Sequence, residues 1–194
     1  MLSNTTIYRI ARNRLNITRI IFIVCLIELL LNGIRIRPLH GHNLTIYIIA
    51  SVLILLGNII RSWAAGIVHK RMIIADTGPY GLWRHPLYLG SALVAVGFGL
   101  LLNDLFCWVG ILLLFLLVYP ITIKKEEIDM REMHQQKWVD YTSKVGLLAP
   151  HHLDIAKINN PWSYRQYLKN KEYNALLASS IAWILILIIG LIQR

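Results

Sequence analysis

Charge is scarce in this chain, and acidic charge is scarcest. Only 15% of the 194 residues are Asp, Glu, Lys or Arg, against about 25% in an ordinary soluble domain. Twenty are basic and ten acidic, for a net charge of +10. Cysteine is nearly absent: Cys25 and Cys107 lie in apolar stretches far apart in sequence. That spacing argues against a disulfide framework, and neither thiol has a metal-ligand companion nearby. There is no internal repeat, no low-complexity tract and no base-reading module, so nucleic acid is not the expected partner. The positive charge instead fits basic loops facing anionic lipid. What fills the chain is apolar: 56% hydrophobic residues and a mean hydropathy of +0.54. A core of this size cannot hide so much apolar surface, and a bilayer must take part.

Five apolar stretches read as membrane helices, at about 17–34, 44–60, 87–102, 106–123 and 175–191. Each approaches the ~20 residues that cross about 30 Å of hydrocarbon, the third being shortest. The expected fold is all-α, a polytopic membrane bundle forming a single domain over 1–194. Only Asn103-Asp104-Leu105 separates the third and fourth spans, and so short a link forces an antiparallel hairpin. Arg9, Arg12, Arg14 and Arg19 precede the first span, Arg61, Lys70, Arg71 and Arg84 follow the second, and many Lys and Arg occupy 124–174. The positive-inside rule then places the N-terminal arm, the 61–86 loop and the 124–174 segment in the cytoplasm. Arg35 and Arg37 fall on the outer side and run weakly against this. A signal peptide over 1–34 is disfavoured, because Arg35-Ile36-Arg37-Pro38 stands where a small-residue cleavage site belongs.

The 124–174 segment is mixed in character. Ile128, Met133, Trp138 and Tyr141 cover one face of a helix expected over Lys124–Val145, ended by Gly146 and followed by Pro150. Pro161-Trp162 opens a second short element. Trp162, Tyr164, Tyr167 and Tyr173 suit a headgroup layer better than a substrate cage. Residues 151–194 thus read as an interfacial segment plus a final span.

The chemistry concentrates in Thr77–Gly90 and in Glu126-Glu127. Pro86 suits the first position of the third span, where its fixed φ and missing N–H cost nothing. The free amides of that first turn attract a carboxylate or phosphate. His85 stands at the entrance, Tyr88 shares roughly its face, and Arg84 adds a permanent cation. Gly78 and Gly81 allow tight turning, while Gly90, Gly97 and Gly99 permit close helix approach. The hairpin returns Glu126 and Glu127 to the same side, where adjacent acids need cations or donors. S-adenosylmethionine satisfies the set: its carboxylate suits His85, Tyr88 and the helix N-terminus, and its ammonium, hydroxyls and sulfonium suit the glutamates.

The pattern Gly78-x-Tyr80-x₃-Arg84-His85-Pro86-x-Tyr88-x-Gly90, the short hairpin, Glu126-Glu127 and the later Tyr141 resembles the isoprenylcysteine carboxyl methyltransferase family. The phospholipid N-methyltransferases share it more loosely. The resemblance covers about 57–150, a methyltransferase-like core. It implies S-adenosylmethionine binding by His85, Pro86, Tyr88, Glu126 and Glu127, with Tyr80 and Gly90 shaping the pocket. It also implies a lipid or prenylated substrate entering from the membrane to a cytosolic site. Two features depart from the family: His134-Gln135 stands near a frequent Phe-Gly pair, and a fifth span follows the motif. A carboxylate substrate needs a steering cation, for which Arg61, Arg84 and Lys124 are candidates. An amine substrate needs a base instead.

Other readings stand beside this one. A sterol-reductase-like enzyme using NADPH would need diphosphate contacts, which are not evident. A non-catalytic membrane scaffold would keep the hairpin for packing alone. Arg84 and His85 could contact lipid phosphate, and Glu126-Glu127 could be a solvated charge run. Glu28, inside the first span, is a functional candidate by default, although pairing with an Arg or Asn of another helix is the favoured reading. His151-His152 with Asp154, and His40 with His42, are weak metal signals, and no metal is expected.

Overall fold

The computed structural model describes residues 4–33, 36–39, 41, 43–69, 73–147 and 162–192. Its regular elements are helical: α1 (Asn4–Leu31), α2 (Asn43–Ala65), a 3₁₀ turn (Gly78–Gly81), α3 (Pro86–Leu102), α4 (Leu105–His134), α5 (Gln136–Lys144), α6 (Tyr164–Lys169) and α7 (Tyr173–Ile192). A π-helical turn over Leu114–Val118 interrupts α4. The all-helical expectation is met, with one isolated parallel bridge, Trp83 to Gly146, as the exception among the described residues. Helices α2, α4 and α7 are long and apolar enough to cross a membrane, and α3 is a shorter apolar helix. The first expected span overlaps α1 over 17–31, and α1 begins much earlier, at Asn4. Arg14, Arg19 and Glu28 interrupt its apolar run and keep it out of that set. Phe22, Leu56, Leu116 and Leu185 are among many large apolar side chains that face outward. Exposing them to water would cost roughly 25 cal/mol per Å², and lipid removes that cost.

The chain divides into two compact units. The first comprises Met1–Leu53, Ala95–Glu126 and Ala182–Arg194, the second Ile54–Val94 and Glu127–Ile181.

In the first unit the expected hairpin turn forms at Asn103, with φ of 49°. Asp104 then caps α4 by accepting from the Cys107 amide at 2.8 Å, satisfying one orphan donor of the first turn. Gly99 lets α3 close on α4, since a β-carbon there would stand 3.0 Å from Trp108 and Ile111. Arg37, awkward for the charge rule, donates from Nε to the Leu100 carbonyl at 3.1 Å and from its guanidinium to Asn103. It thereby serves carbonyls that the end of α3 leaves without intrahelical donors. Tyr47 donates to the Arg37 carbonyl at 2.6 Å, and Trp183 of α7 donates to Ser51 of α2 at 3.1 Å. Among the described residues Glu28 accepts from Asn32, the residue just past the end of α1, at 2.7 Å, and not from a residue of another helix.

In the second unit the end of α2 is built over by the segment that follows residue 161. Trp162 donates to the Ser62 carbonyl at 3.0 Å, Gln166 to Val68 at 2.7 Å and Asn170 to Ala65 at 2.7 Å. Gly66 makes this possible: a β-carbon there would enter the Trp162 indole. Tyr167 is buried, whereas Trp162 and Tyr164 are exposed. One of the belt aromatics therefore packs inward.

The helix expected over Lys124–Val145 is broken at Gln135, which ends α4 and starts α5 with φ 48° and ψ −119°. A side chain is strained there, because this region suits glycine. Gln135→Gly is expected to raise the melting temperature in detergent, by about 1 kcal/mol net of glycine's extra chain entropy. The end of α5 before Gly146 agrees with the sequence reading.

Candidate functional site

The motif segment is fixed on both sides before its polar groups are presented. Gly78, at φ 59°, turns the chain against Ile67 and Trp63, and Ile67 fills the space a β-carbon would need. Tyr80 is buried with Ala64 and Ile67. Its carbonyl accepts from the buried Tyr141 hydroxyl at 2.8 Å. Burial pushes the Tyr141 phenol above its usual range, so it remains a proton donor at physiological pH. Tyr141→Phe leaves the Tyr80 carbonyl without this donor and should cost about 1–3 kcal/mol, read as a lower melting temperature. Beyond Tyr80, the Trp83–Gly146 bridge and the Arg84 amide, which donates to the Gly146 carbonyl at 2.9 Å, tie the segment to the chain leaving α5.

His85 then caps α3 with its backbone, its carbonyl accepting from the amides of Tyr88 at 3.1 Å and Leu89 at 3.2 Å. Pro86, with a fully buried side chain, takes the first helical position. Both placements match the sequence reading. The imidazole is buried, with Nε2 3.4 Å from Glu127 Oε1 and the Tyr88 ring edge-on at 5.8 Å. Arg84 donates from Nη1 to the same Oε1 at 2.7 Å. Its Nε is buried without a hydrogen-bond partner among the described residues. Arg84, His85, Tyr88 and Glu127 thus form one partly buried cluster at the N-terminus of α3. Buried charge of this kind is stable only when it is matched, and an unmatched guanidinium nitrogen leaves room for one more acceptor.

The remaining candidates sit differently. Glu126 pairs with Arg14 of α1, so the adjacent carboxylates have separate partners. Arg61 is held by Glu172, 2.6 Å from its Nε, and donates to Ser91. The pairing is partly buried, so the cation expected to steer a substrate already has a carboxylate partner. Gly90 is where Arg61 crosses α3: a β-carbon there would stand 2.6 Å from both Arg61 Cγ and the Gly57 carbonyl. Lys124 is exposed on α4 and belongs to none of the ion pairs of the described residues.

Sequence reasoning missed Gly57 and Glu172. Spacing of small residues across two helices could have suggested Gly57, whereas nothing in the sequence singles out Glu172. No group of three His, Cys, Asp or Glu side chains able to hold a metal occurs among the described residues. His40, His42, His151, His152 and Asp154 lie outside them, as do Arg35, Lys70, Arg71, Pro150 and Pro161.

A cleft of about 390 Å³ is lined by Tyr141 together with Asp76, His134, Lys137, Asp140 and Lys144.

The model of the isoprenylcysteine carboxyl methyltransferase family matches residues 43–132, which bears out the resemblance carried by the motifs. Two curated relatives bear metal-resistance names. The cobalt-zinc-cadmium resistance protein CzcN of Cupriavidus metallidurans is 30% identical over 61% of this chain and 55% of its own length. The nickel-cobalt-cadmium resistance protein NccN of Alcaligenes xylosoxydans xylosoxydans is 28% identical over 73% of this chain and 66% of its own. The chain therefore spans between half and two thirds of the relatives it matches. No solved structure matches it.

Proposed function

Because residues 43–132 carry the match to a family of membrane methyltransferases, we propose that this chain is an integral membrane methyltransferase that uses S-adenosylmethionine. Its substrate is a lipid or lipidated molecule that enters from the bilayer, and the basic segments around the motif support a site on the cytosolic face. The observation that carries this reading is the Arg84–His85–Glu127 cluster at the N-terminus of α3.

The donor set fits such a cofactor. The unmatched Arg84 Nε, together with the amides and dipole of the first turn of α3, suits an α-carboxylate. Glu127 accepts from Arg84 and lies 3.4 Å from His85 Nε2, and its charge suits an ammonium or ribose hydroxyls. Tyr88 and buried His85 wall the cluster on the α3 side. When bound, S-adenosylmethionine supplies a methyl group activated by its sulfonium. The chain's contribution is to orient that group and to exclude water. Glu126, paired with Arg14, is left out of this assignment. Arg61, paired with Glu172, holds the end of α2 to α3 and does not steer substrate. Arg84 is the cation that remains next to the cluster.

Fluorescence tests the proposal, since half-buried Trp83 adjoins Arg84. The detergent-solubilised chain is titrated with S-adenosylhomocysteine and with NADPH while tryptophan emission is followed. A saturable response to the first alone is expected. A response to NADPH alone would move the chain to the reductases, and silence to both would leave a non-catalytic scaffold. Incubating membranes with radiolabelled methyl donor then assigns the acceptor, by whether label enters the lipid extract or protein. The relatives' names make growth on cobalt, zinc or cadmium salts the phenotype to follow in a strain lacking the gene.

A further inference from the structure

Cys25 and Cys107 are 82 positions apart in sequence, yet the first unit sets the Cys25 sulfur on the turns of α4 that carry Cys107. Two separate features place the Cys25 sulfur on the first turns of α4. Its Sγ lies 3.8 Å from the Phe106 carbonyl. It also occupies the space beside Gly110, where a β-carbon would stand 2.9 Å from it. Gly110 lies one helical turn beyond Cys107, so the glycine opens the groove into which the Cys25 thiol descends. The backbone of that turn is held by the Asp104 cap on the Cys107 amide. Both thiols are free, Cys107 buried and Cys25 half-buried.

We propose that Cys25 and Cys107 form a redox-active dithiol that closes to an intramolecular disulfide between α1 and α4. A disulfide needs its two sulfurs to approach with little backbone movement, and the groove beside Gly110 provides that approach. Closure proceeds by thiol–disulfide exchange with an external disulfide. One thiolate attacks it and expels a thiol, and the second thiolate then displaces the other. The pair gives up two electrons and two protons, and the external disulfide leaves as two thiols. Cys107 lies in the first turn of α4 and Cys25 within two turns of the end of α1. With the orientation proposed above, these ends face away from the cytosol, where disulfides persist. Closure itself does not depend on the methyltransferase reading.

The test uses the full chain in detergent, treated with oxidised glutathione or copper–phenanthroline, then denatured and labelled with a maleimide–polyethylene glycol. Two adducts are expected before oxidation and none after, with the intact mass lower by two hydrogens and no dimer on a non-reducing gel. Cys25→Ser and Cys107→Ser should each show one adduct before oxidation and keep it under copper–phenanthroline, whereas under oxidised glutathione each should lose it by gaining the mass of one glutathione, the mixed disulfide that only a second thiol resolves. Two adducts on oxidised wild type, or loss of label in the single variants through dimer formation, would overturn the proposal. Both single variants must melt cooperatively for the comparison to count, and Cys25→Ala with Cys107→Ala replaces them if they do not.

Discussion

Gly57→Val is expected to prevent the second unit from forming. A β-carbon at position 57 would stand 2.6 Å from the Gly90 carbonyl, 2.7 Å from Val94 Cγ2 and 3.0 Å from the Val94 amide nitrogen. Two of those three atoms are backbone within α3, so no side-chain rotation relieves the clash. The helices would have to separate, and Arg61 would lose its path across Gly90 toward Ser91 and Glu172. Overpacking a tight contact typically costs about 1–3 kcal/mol. Valine adds two further methyls at a site with no space for one, so the loss should exceed that range. Gly57→Ala should lie within it. Leu56→Ala, at an exposed neighbouring position on the same helix, is the control and should barely change the melting temperature. The comparison is read by thermal melting and size-exclusion profile in detergent. A Gly57→Val protein that melts with wild type would show that α2 and α3 are not in this close contact.

Glu127→Gln is expected to weaken binding of S-adenosylhomocysteine by about tenfold to a hundredfold, the equivalent of losing one charge-assisted hydrogen bond. The amide retains an oxygen that can accept from Arg84, so the geometry around α3 is largely kept. What disappears is the negative charge that offsets Arg84 and would attract a cationic ligand. Arg84 and Glu127 are both partly buried, so that charge is poorly replaced by water. The variant should still unfold cooperatively, which separates lost binding from lost structure. Calorimetry in detergent is the measurement, and unchanged affinity would remove Glu127 from the cofactor site. Glu126→Gln is the companion. Its partner is Arg14, and its binding curve should follow wild type.

Much of this arrangement was legible in the sequence because it is local. Pro86 at the first position of α3, the Asn103-Asp104 turn and the end of α5 before Gly146 all follow from short-range backbone rules. Glu127 beside Arg84 and His85 was legible for a different reason: a hairpin with so short a link leaves its two arms little freedom of register. The rest depends on contacts that composition does not record. The separate partners of Glu126 and Glu127 arise because adjacent helical positions point about 100° apart. The sequence treats the two as a pair, whereas the helix assigns them to different neighbours. Arg61 looked like a free cation because Glu172 lies 111 positions away. The start of α1 at Asn4 was missed because its first half is polar, and hydropathy marks lipid-compatible runs rather than helices. The break at Gln135 was missed because hydropathy and face spacing do not record a backbone φ of 48°.

The covering of α2 by Trp162, Gln166 and Asn170 has a consequence for biogenesis. The Ser62, Ala65 and Val68 carbonyls at and just past the end of that helix gain side-chain donors, and Arg61 its counter-charge, from residues made about a hundred codons later. During translation the nascent chain therefore carries α2 and the motif segment past the ribosome with this end still open. A chain interrupted before Glu172 would leave the partly buried Arg61 without its carboxylate, and quality-control proteases would find that end unprotected.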